Sequence, residues 1–481
     1  MPTPEKLSAI VMAAGKGTRL KSQTPKVLHS LFGKPLLGWV LDSLSDLAKT
    51  TPIDKTWVIV GHGREKVDQS LQCLDSALPA IHLQPSVIQE PQLGTGHAIQ
   101  QVKASVTDLS GAVLVLSGDV PLLRTESLEM LVEKFIESDA DLTLMAAHLE
   151  NPTGYGRVIV DSASQQVQKI IEEKDANATE KLTTLVNTGI YCLRWESISP
   201  LLDKLSANNA QAELYLTDAI AHAVEDGLKV TWVHLEDPLE MCGINQRLDL
   251  SICHEILHQR ALSELMQNGV TLLHPGSTLI SPKAKIGADT VIYPGCTIES
   301  DVEIGQGCTI GPNTTMIGHV RVGNHTMVLQ SFLRGAEVGN HCTIGPFAHL
   351  RDQAILKDNV RIGNFVEVKT TEIDANTNAA HLAYLGDASL GQDVNIGAGT
   401  IIANYDPIRD IKHRSVLEDG VKIGCNSVLV SPVNIRERSC VAAGSVITED
   451  VAPWDLAIAR QKQSSIPQWV KKVLGQPVAP K

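Results

Sequence analysis

An aliphatic side chain recurs at every sixth residue over much of the chain from Ile286 to Ile447, and few folds tolerate that period. Ile286, Ile292, Ile298, Ile304, Ile310, Met316, Val322 and Val328 keep it without a miss. After a four-residue slip it resumes at Val338, Ile344, Leu350, Leu356, Ile362 and Val368. It returns at Leu390, Ile396 and Ile402, then at Ile423, Leu429, Ile435, Val441 and Ile447. Ten of these 22 positions are followed directly by glycine, at 287, 305, 311, 323, 339, 345, 363, 391, 397 and 424. Random placement of 36 glycines in 481 residues gives fewer than two, so the repeat is real.

Six fits neither the helical period nor the alternation of a half-buried strand. It fits a parallel β-helix, the solenoid recognised by hexapeptide repeats. One such coil cannot bury its own apolar side, so stability comes from stacking on neighbours. The glycines are expected to supply positive φ at sharp corners. The slips at 329–337, 369–389 and 403–422 are expected to be loops thrown out from the coils, where solenoids commonly bind ligands. An ordinary β-sandwich with irregular turns is the alternative.

Upstream the pattern changes. Residues 8–14 (SAIVMAA) read as a buried strand, followed by the turn Gly15-Lys16-Gly17-Thr18-Arg19. Leu20 stands where the third glycine of a dinucleotide fingerprint belongs, and the spacing of a Walker A loop is absent. The turn offers bare backbone N–H groups beside Lys16, Arg19, Lys21 and Lys26, which suits phosphate; a tight turn with solvated lysines is the other reading. Further strands are expected at Trp57–Val60 and Ala112–Leu116, with helices at Leu36–Ala48 and Leu128–Ser138. That alternation implies an α/β unit with a mainly parallel sheet and ligands at the strand carboxyl ends. Ser117-Gly118-Asp119 directly follows the strand Ala112–Leu116, with Asp119 there as either a Mg²⁺ ligand or a turn residue.

Length and charge limit the rest. A chain of 481 residues has room for two or more domains, and 43% hydrophobic with 20% charged residues describes a globular protein. The net charge of −13 opposes nucleic acid and anionic membrane as partners. Nine dispersed cysteines without a C-x-x-C pair suit a reducing cytoplasm. The first apolar stretch, Ala9 to Gly15, is too short to insert in a membrane. Residues 246–268 form a long helical pattern with Leu248, Ile252, Leu257 and Leu265 among its apolar positions. It includes His254-Glu255-Ile256-Leu257-His258, a match to the zinc-protease signature, but Ala261 and Glu264 break the extended motif and a solvated linker helix is expected.

The stretches AAGKGTRL…TPKVLH (13–29), LGTGHA (93–98), GDVPLL (118–123), PTGYGR (152–157), EEKDA (172–176) and NTGIY (187–191) resemble the sugar-nucleotide pyrophosphorylases. The whole chain is similar to the bifunctional N-acetylglucosamine-1-phosphate uridylyltransferase/glucosamine-1-phosphate acetyltransferase family, which ends in a left-handed hexapeptide β-helix. The resemblance implies a Rossmann-like mixed-sheet uridylyltransferase domain at 1–245, a linker helix at 246–270, a β-helical acetyltransferase domain at 271–450 and a tail at 451–481. It implies that Met12, Ala13, Ala14, Gly15, Gln89, Gly94, Thr95, Ser117 and Gly118 hold the nucleotide, with Gly156, Glu172 and Asn187 on the sugar. Arg19 and Lys26 would meet phosphates, and Asp119 and Asn245 would hold Mg²⁺.

For the solenoid, the resemblance implies His381 as general base and Glu367 as its orienter. Arg351, Lys369, Tyr384 and Asn395 would bind the sugar phosphate; Ala398, Asn404, Tyr405, Cys425, Ala443 and Arg460 would bind acetyl-CoA. Backbone N–H groups at Gly397–Ala398 are expected to steady the oxyanion. The implied substrates are glucosamine-1-phosphate, acetyl-CoA and UTP, in a cytoplasmic homotrimer. Departures are local: Ser117 stands where an aromatic residue is common, Cys425 where serine is usual and Pro407 where glycine is, and the loop 406–415 is about two residues longer. Two rival readings are a nucleotidyltransferase whose solenoid serves only assembly, and a solenoid binding scaffold without activity.

Overall fold

The computed structural model describes residues 6–161 and 166–478. They form two compact units that divide between Leu257 and His258. In the first unit, Leu7–Met12, Thr56–Val60, Val87–Ile88 and Ala112–Ser117 pair in parallel at the centre and one edge of a mixed sheet. Leu185–Arg194 lies antiparallel to both Ala112–Ser117 and Leu142–His148, and Val230–His234 closes the far edge in parallel. Period-two alternation drives side chains to opposite faces. Ala9 and Val11 enter one core with the helices Leu36–Leu47, Arg64–Asp75 and Thr125–Glu137. Ile10 enters the other with Thr95–Ser105 and Leu216–Glu225. The expected strands and helices are present, each within a few residues of its expected limits.

In the second unit, 25 short strands form one continuous parallel β-helix. Val291–Ile292 pairs with Thr309–Ile310 eighteen residues on, so three strands make a coil. Ile292, Ile310, Val328, Ile344, Ile362, Ala379, Ile396, Ile423 and Val441 stack in register as one buried column. Each large aliphatic in it contributes roughly 2 kcal/mol by leaving water. Buried hydroxyls close the corners: Thr290 donates to the Gly305 carbonyl at 2.8 Å and accepts from the Cys308 amide at 3.0 Å.

Among the ten repeat glycines only Gly311 and Gly345 have positive φ. At the other eight the reason is proximity, since coils stack about 4.8 Å apart. A Cβ on Gly287 would lie 2.6 Å from the Gln306 nitrogen, and one on Gly363 would lie 1.8 Å from the Ala380 carbonyl oxygen. The slips at 329–337 and 369–389 are not extruded loops. They are absorbed into long strands, Phe332–Val338 and Asn378–Gly386, that shorten the coil to sixteen or seventeen residues. Only the third slip leaves the solenoid, as a hairpin pairing Tyr405–Asp406 with Ile411–Lys412.

The helix Arg247–Gln267 spans the division between units. It is not solvated all round: Cys253, Leu257, His258, Ala261, Leu262 and Leu265 are buried, whereas Leu248 and Ile252 are exposed. Its two motif histidines have separate surroundings. His254 stacks on Phe32 at 3.9 Å between ring centroids, and His258 Nε2 accepts from the Ile280 amide at 3.5 Å.

Candidate functional site

The first cluster lies at the carboxyl ends of the central parallel strands. Met12 ends one strand and Ser117 its neighbour, in register with each other. Gly118 then donates to the Met12 carbonyl at 2.9 Å, and Ala13 donates to Ile59 at 2.8 Å. Ala14 continues that rim and Gly15 faces open space, where a Cβ would meet nothing within 4 Å. Gly17, with φ of 59°, brings the turn onto Lys26: a Cβ there would be 2.7 Å from the lysine Cβ. Gln89 is buried and donates to the Gly94 carbonyl at 2.8 Å. Gly94, with φ of 108°, opens the helix that starts at Thr95, whose hydroxyl accepts from the Leu216 amide at 3.1 Å.

Lys26 is the hub of the charged part. Its ammonium is ion-paired with the Asp119 carboxylate and donates to Asn245 Oδ1 at 2.8 Å, an oxygen that also accepts from Arg19 at 2.9 Å. Asp119 and Asn245 therefore present hard oxygens that converge on a single cationic group. That donor set suits Mg²⁺, which takes one or two protein oxygens and completes its shell with water and substrate phosphate. Asp249, which the sequence reading missed, holds the Asn245 and Gln246 amides at 2.8 and 3.0 Å.

On the same unit, Glu172 faces Gly156: its carboxylate oxygens lie 3.5 Å from where a Gly156 Cβ would be. The Gly156 carbonyl accepts from the Asn187 amide at 2.9 Å. Burial raises the Glu172 carboxyl above the usual range; a hydrogen bond from Thr217 at 3.1 Å opposes this, while Asp218, Asp175 and Glu213 add to it. Asn187 donates to the Tyr191 hydroxyl at 2.7 Å. Next in the chain to Gly156, the Arg157 guanidinium, 2% exposed, binds the Tyr155 carbonyl and lies 2.6 Å from Glu173.

The second cluster lies on successive coils of the solenoid. Arg334, Arg351 and Lys369 stand in register, as do His349, Glu367 and Tyr384. Arg351 donates from Nε to Glu367 at 2.8 Å and from Nη1 to Asp352 at 2.9 Å. The bond to Glu367 raises the arginine pKa, and burial lowers that of His349. His381 lies opposite Asn364, and its Nδ1 is 2.8 Å from Asn364 Oδ1. The imidazole is thus held by Asn364, a residue the sequence reading missed, and the expected orienter Glu367 is committed to Arg351. Asn395 pairs with Asn378, at the start of the strand that carries His381.

A lane of small residues runs along one corner. Ala398, Cys425 and Ala443 each follow a core aliphatic by two positions (Ile396, Ile423, Val441), and those aliphatics stack in register. Cys425 is exposed. Asn426 donates to the Ala398 carbonyl at 2.7 Å and Gly444 to that of Cys425 at 2.8 Å. Arg460 Cδ lies 3.7 Å from where a Gly444 Cβ would be, at the end of the lane. At about 4.8 Å per coil the lane suits a long, narrow ligand. Of the amides expected at the oxyanion, that of Gly397 is already bonded to the Ile423 carbonyl at 2.8 Å. Asn404 is buried and bonded to Asp387, and the Tyr405 hydroxyl donates to Asp410 at 3.0 Å at the base of the hairpin.

Residues 8–237 match the nucleotidyl transferase family, and residues 274–380 match the GMPPB C-terminal domain. The chain is 45% identical over 466 residues to the bifunctional protein GlmU of Synechococcus sp. strain CC9605, covering 97% of this chain and 99% of that protein. It is 47% identical over 464 residues to bifunctional GlmU of Gloeobacter violaceus, covering 96% and 97%. It is 44% identical over 462 residues to that of Trichormus variabilis, covering 96% and 98%.

Proposed function

This chain belongs to the family of bifunctional GlmU proteins, and from that membership we propose which unit and which residues carry each of its two reactions. The protein is an enzyme that makes UDP-N-acetylglucosamine. The solenoid, residues 271–450, acetylates glucosamine-1-phosphate with acetyl-CoA. The α/β unit, residues 1–245, joins the product to UTP and releases pyrophosphate; 246–270 links the two and 451–481 is a tail.

Acetyl transfer needs a free amine, because an ammonium has no lone pair. The nitrogen bonds to the acetyl carbonyl carbon as the C–S bond breaks. Its proton passes to Nε2 of His381 and on to the departing thiolate. An imidazole, with a reference pKa of about 6.5, can accept that proton at neutral pH. Arg351 and Lys369, side by side on adjacent coils, hold the sugar phosphate, with Tyr384 and Asn395 beside it. The lane Ala398–Cys425–Ala443, ending at Arg460, takes the cofactor with Asn404 and Tyr405. Glu367 keeps Arg351 in place.

Uridylyl transfer asks little of proton chemistry, since the sugar phosphate is already an anion. The difficulty is bringing one anion onto another. Mg²⁺ would be held by Asp119 and Asn245 and would supply charge screening between the two anions. Lys26 and Arg19 neutralise phosphate oxygens, and the strand-end backbone from Met12 to Gly15 receives the nucleotide with Gln89, Gly94, Thr95, Ser117 and Gly118. Gly156, Glu172 and Asn187 hold the sugar. The observation that most supports this half is the convergence of Asp119 and Asn245 on one ammonium.

Assembly as a cytoplasmic homotrimer is supported by an apolar stripe beside His381. Phe347, Phe365 and Leu382 are 51%, 58% and 60% exposed, the two phenyl rings stacking at 5.5 Å between centroids. A second copy laid over that stripe would cover it and close a groove on the base; a monomer in sedimentation overturns this. All nine cysteines are free thiols, as a reducing compartment allows. No helix among the described residues is long and apolar enough to cross a membrane. The direct test supplies glucosamine-1-phosphate, acetyl-CoA and UTP together and omits each in turn. Omitting acetyl-CoA must stop the formation of UDP-N-acetylglucosamine, and continued formation overturns the assignment.

A further inference from the structure

We propose that Asn364 is the positioning residue of the acetyl-transfer base; this rests on reading His381 as that base. The 2.8 Å contact joins Asn364 Oδ1 to Nδ1 of the imidazole. An amide oxygen can only accept, so the ring proton sits on Nδ1 and the lone pair on Nε2. The tautomer is thereby fixed with the free nitrogen on the side away from Asn364.

The backbone leaves this pair little freedom. Asn364 and His381 occupy paired register positions on adjacent coils. One residue earlier, Gly363 lies so close to Ala380 that a Cβ would be 1.8 Å from its carbonyl oxygen. One residue later, Phe365 and Leu382 both hold positive φ, 58° and 38°, which bulky residues adopt only when their surroundings enforce it. Their backbone is pinned by Phe365 donating to the Phe347 carbonyl at 3.0 Å and Gly399 donating to that of Leu382 at 2.7 Å.

An amide at this position does something a carboxylate would not. It orients the ring without a charge, and so gives the imidazolium no ion pair. The nearby carboxylate Glu367 is bonded through Oε1 to Arg351, whereas the oxygen that meets the imidazole is that of Asn364.

The test compares Asn364→Ala, Asn364→Asp and His381→Ala in the full chain, with a thermal melt and KM for acetyl-CoA measured on each to check that the solenoid is folded. Asn364→Ala should lower kcat for acetyl transfer about 10- to 100-fold with KM for glucosamine-1-phosphate unchanged. Asn364→Asp keeps an acceptor at the same place but adds charge. Its acid limb of kcat/KM against pH should move upward by about one unit, with activity recovered on the alkaline side. An unchanged kcat in Asn364→Ala, or an unmoved limb in Asn364→Asp, overturns the positioning role while leaving the base intact. Full acetylation by His381→Ala overturns the base reading itself.

Discussion

Lys26 donates from Nζ to Asn245 Oδ1 across 2.8 Å, although 219 residues separate them in the chain. The same ammonium is ion-paired with Asp119. The two oxygens proposed to bind Mg²⁺ are therefore gathered on one cationic group. Asp119→Ala removes one proposed ligand and leaves Lys26 without its carboxylate. Pyrophosphate release from UTP should fall at least about 100-fold, as expected for losing several kcal/mol of charge stabilisation. Acetylation should be unaffected, and retention of Mg²⁺-dependent release would refute the ligand assignment.

Gly363 and Gly15 make a matched pair for the packing argument. A Cβ on Gly363 would sit 1.8 Å from a backbone oxygen, whereas one on Gly15 would meet nothing within 4 Å. Gly363→Ala must push two coils apart and should cost about 3 kcal/mol or more, with early thermal loss of acetylation. Gly15→Ala should leave the melting temperature within a degree or two while altering nucleotide binding. Equal melting temperatures for the two variants would sink the stacking explanation.

Glu172 titrates in a direction set by burial, which raises its carboxyl pKa in the folded chain. The folded state then binds the proton more tightly than the unfolded one. Any stability this supplies is complete below the unfolded pKa and is lost as pH rises through the folded value. At neutral pH the buried carboxylate is therefore a cost. Glu172→Gln should raise the stability of the α/β unit at pH 7, with the gain shrinking as pH falls towards about 4. KM for N-acetylglucosamine-1-phosphate should rise in the same variant. Denaturant melts at several pH values decide the first point and steady-state kinetics the second.

Cys425 gives a chemical probe of the cofactor lane. It and Cys73 are the exposed thiols, while Cys192, Cys253, Cys296, Cys308 and Cys342 are buried. N-ethylmaleimide should abolish acetylation and spare uridylyl transfer, with acetyl-CoA protecting. Cys425→Ser should resist the reagent and Cys73→Ser should not. Inactivation of both variants alike would place the sensitive thiol elsewhere.

Arg157 offers a test of the proposed sugar site. Its guanidinium joins the Tyr155 carbonyl to Glu173, and so ties the segment around Gly156 to the one around Glu172. Arg157→Lys cannot make both contacts. It should raise KM for N-acetylglucosamine-1-phosphate roughly tenfold with little change in KM for UTP, since lost positioning of this kind is worth about 1–2 kcal/mol. An equal rise in both constants would point to general loosening of the unit.

The sequence alone determined what depends on local period and local chemistry. Strict six-residue spacing leaves a β-helix as the economical way to bury one aliphatic per short strand, and the rim motifs lie where strands end. It could not say which residues of neighbouring coils face each other. A coil of eighteen residues would put position 363 opposite His381, whereas the observed coil of seventeen puts Asn364 there and sets Glu367 against Tyr384. That difference depends on whether a slip in the beat bulges outward or is absorbed into a longer strand, a choice made by packing against the coils on either side. The glycines carried the same ambiguity, because a requirement for positive φ and a requirement for space select the same residue. Only contact between stacked backbones separates the two, and only the closed fold carries Asn245 to Lys26.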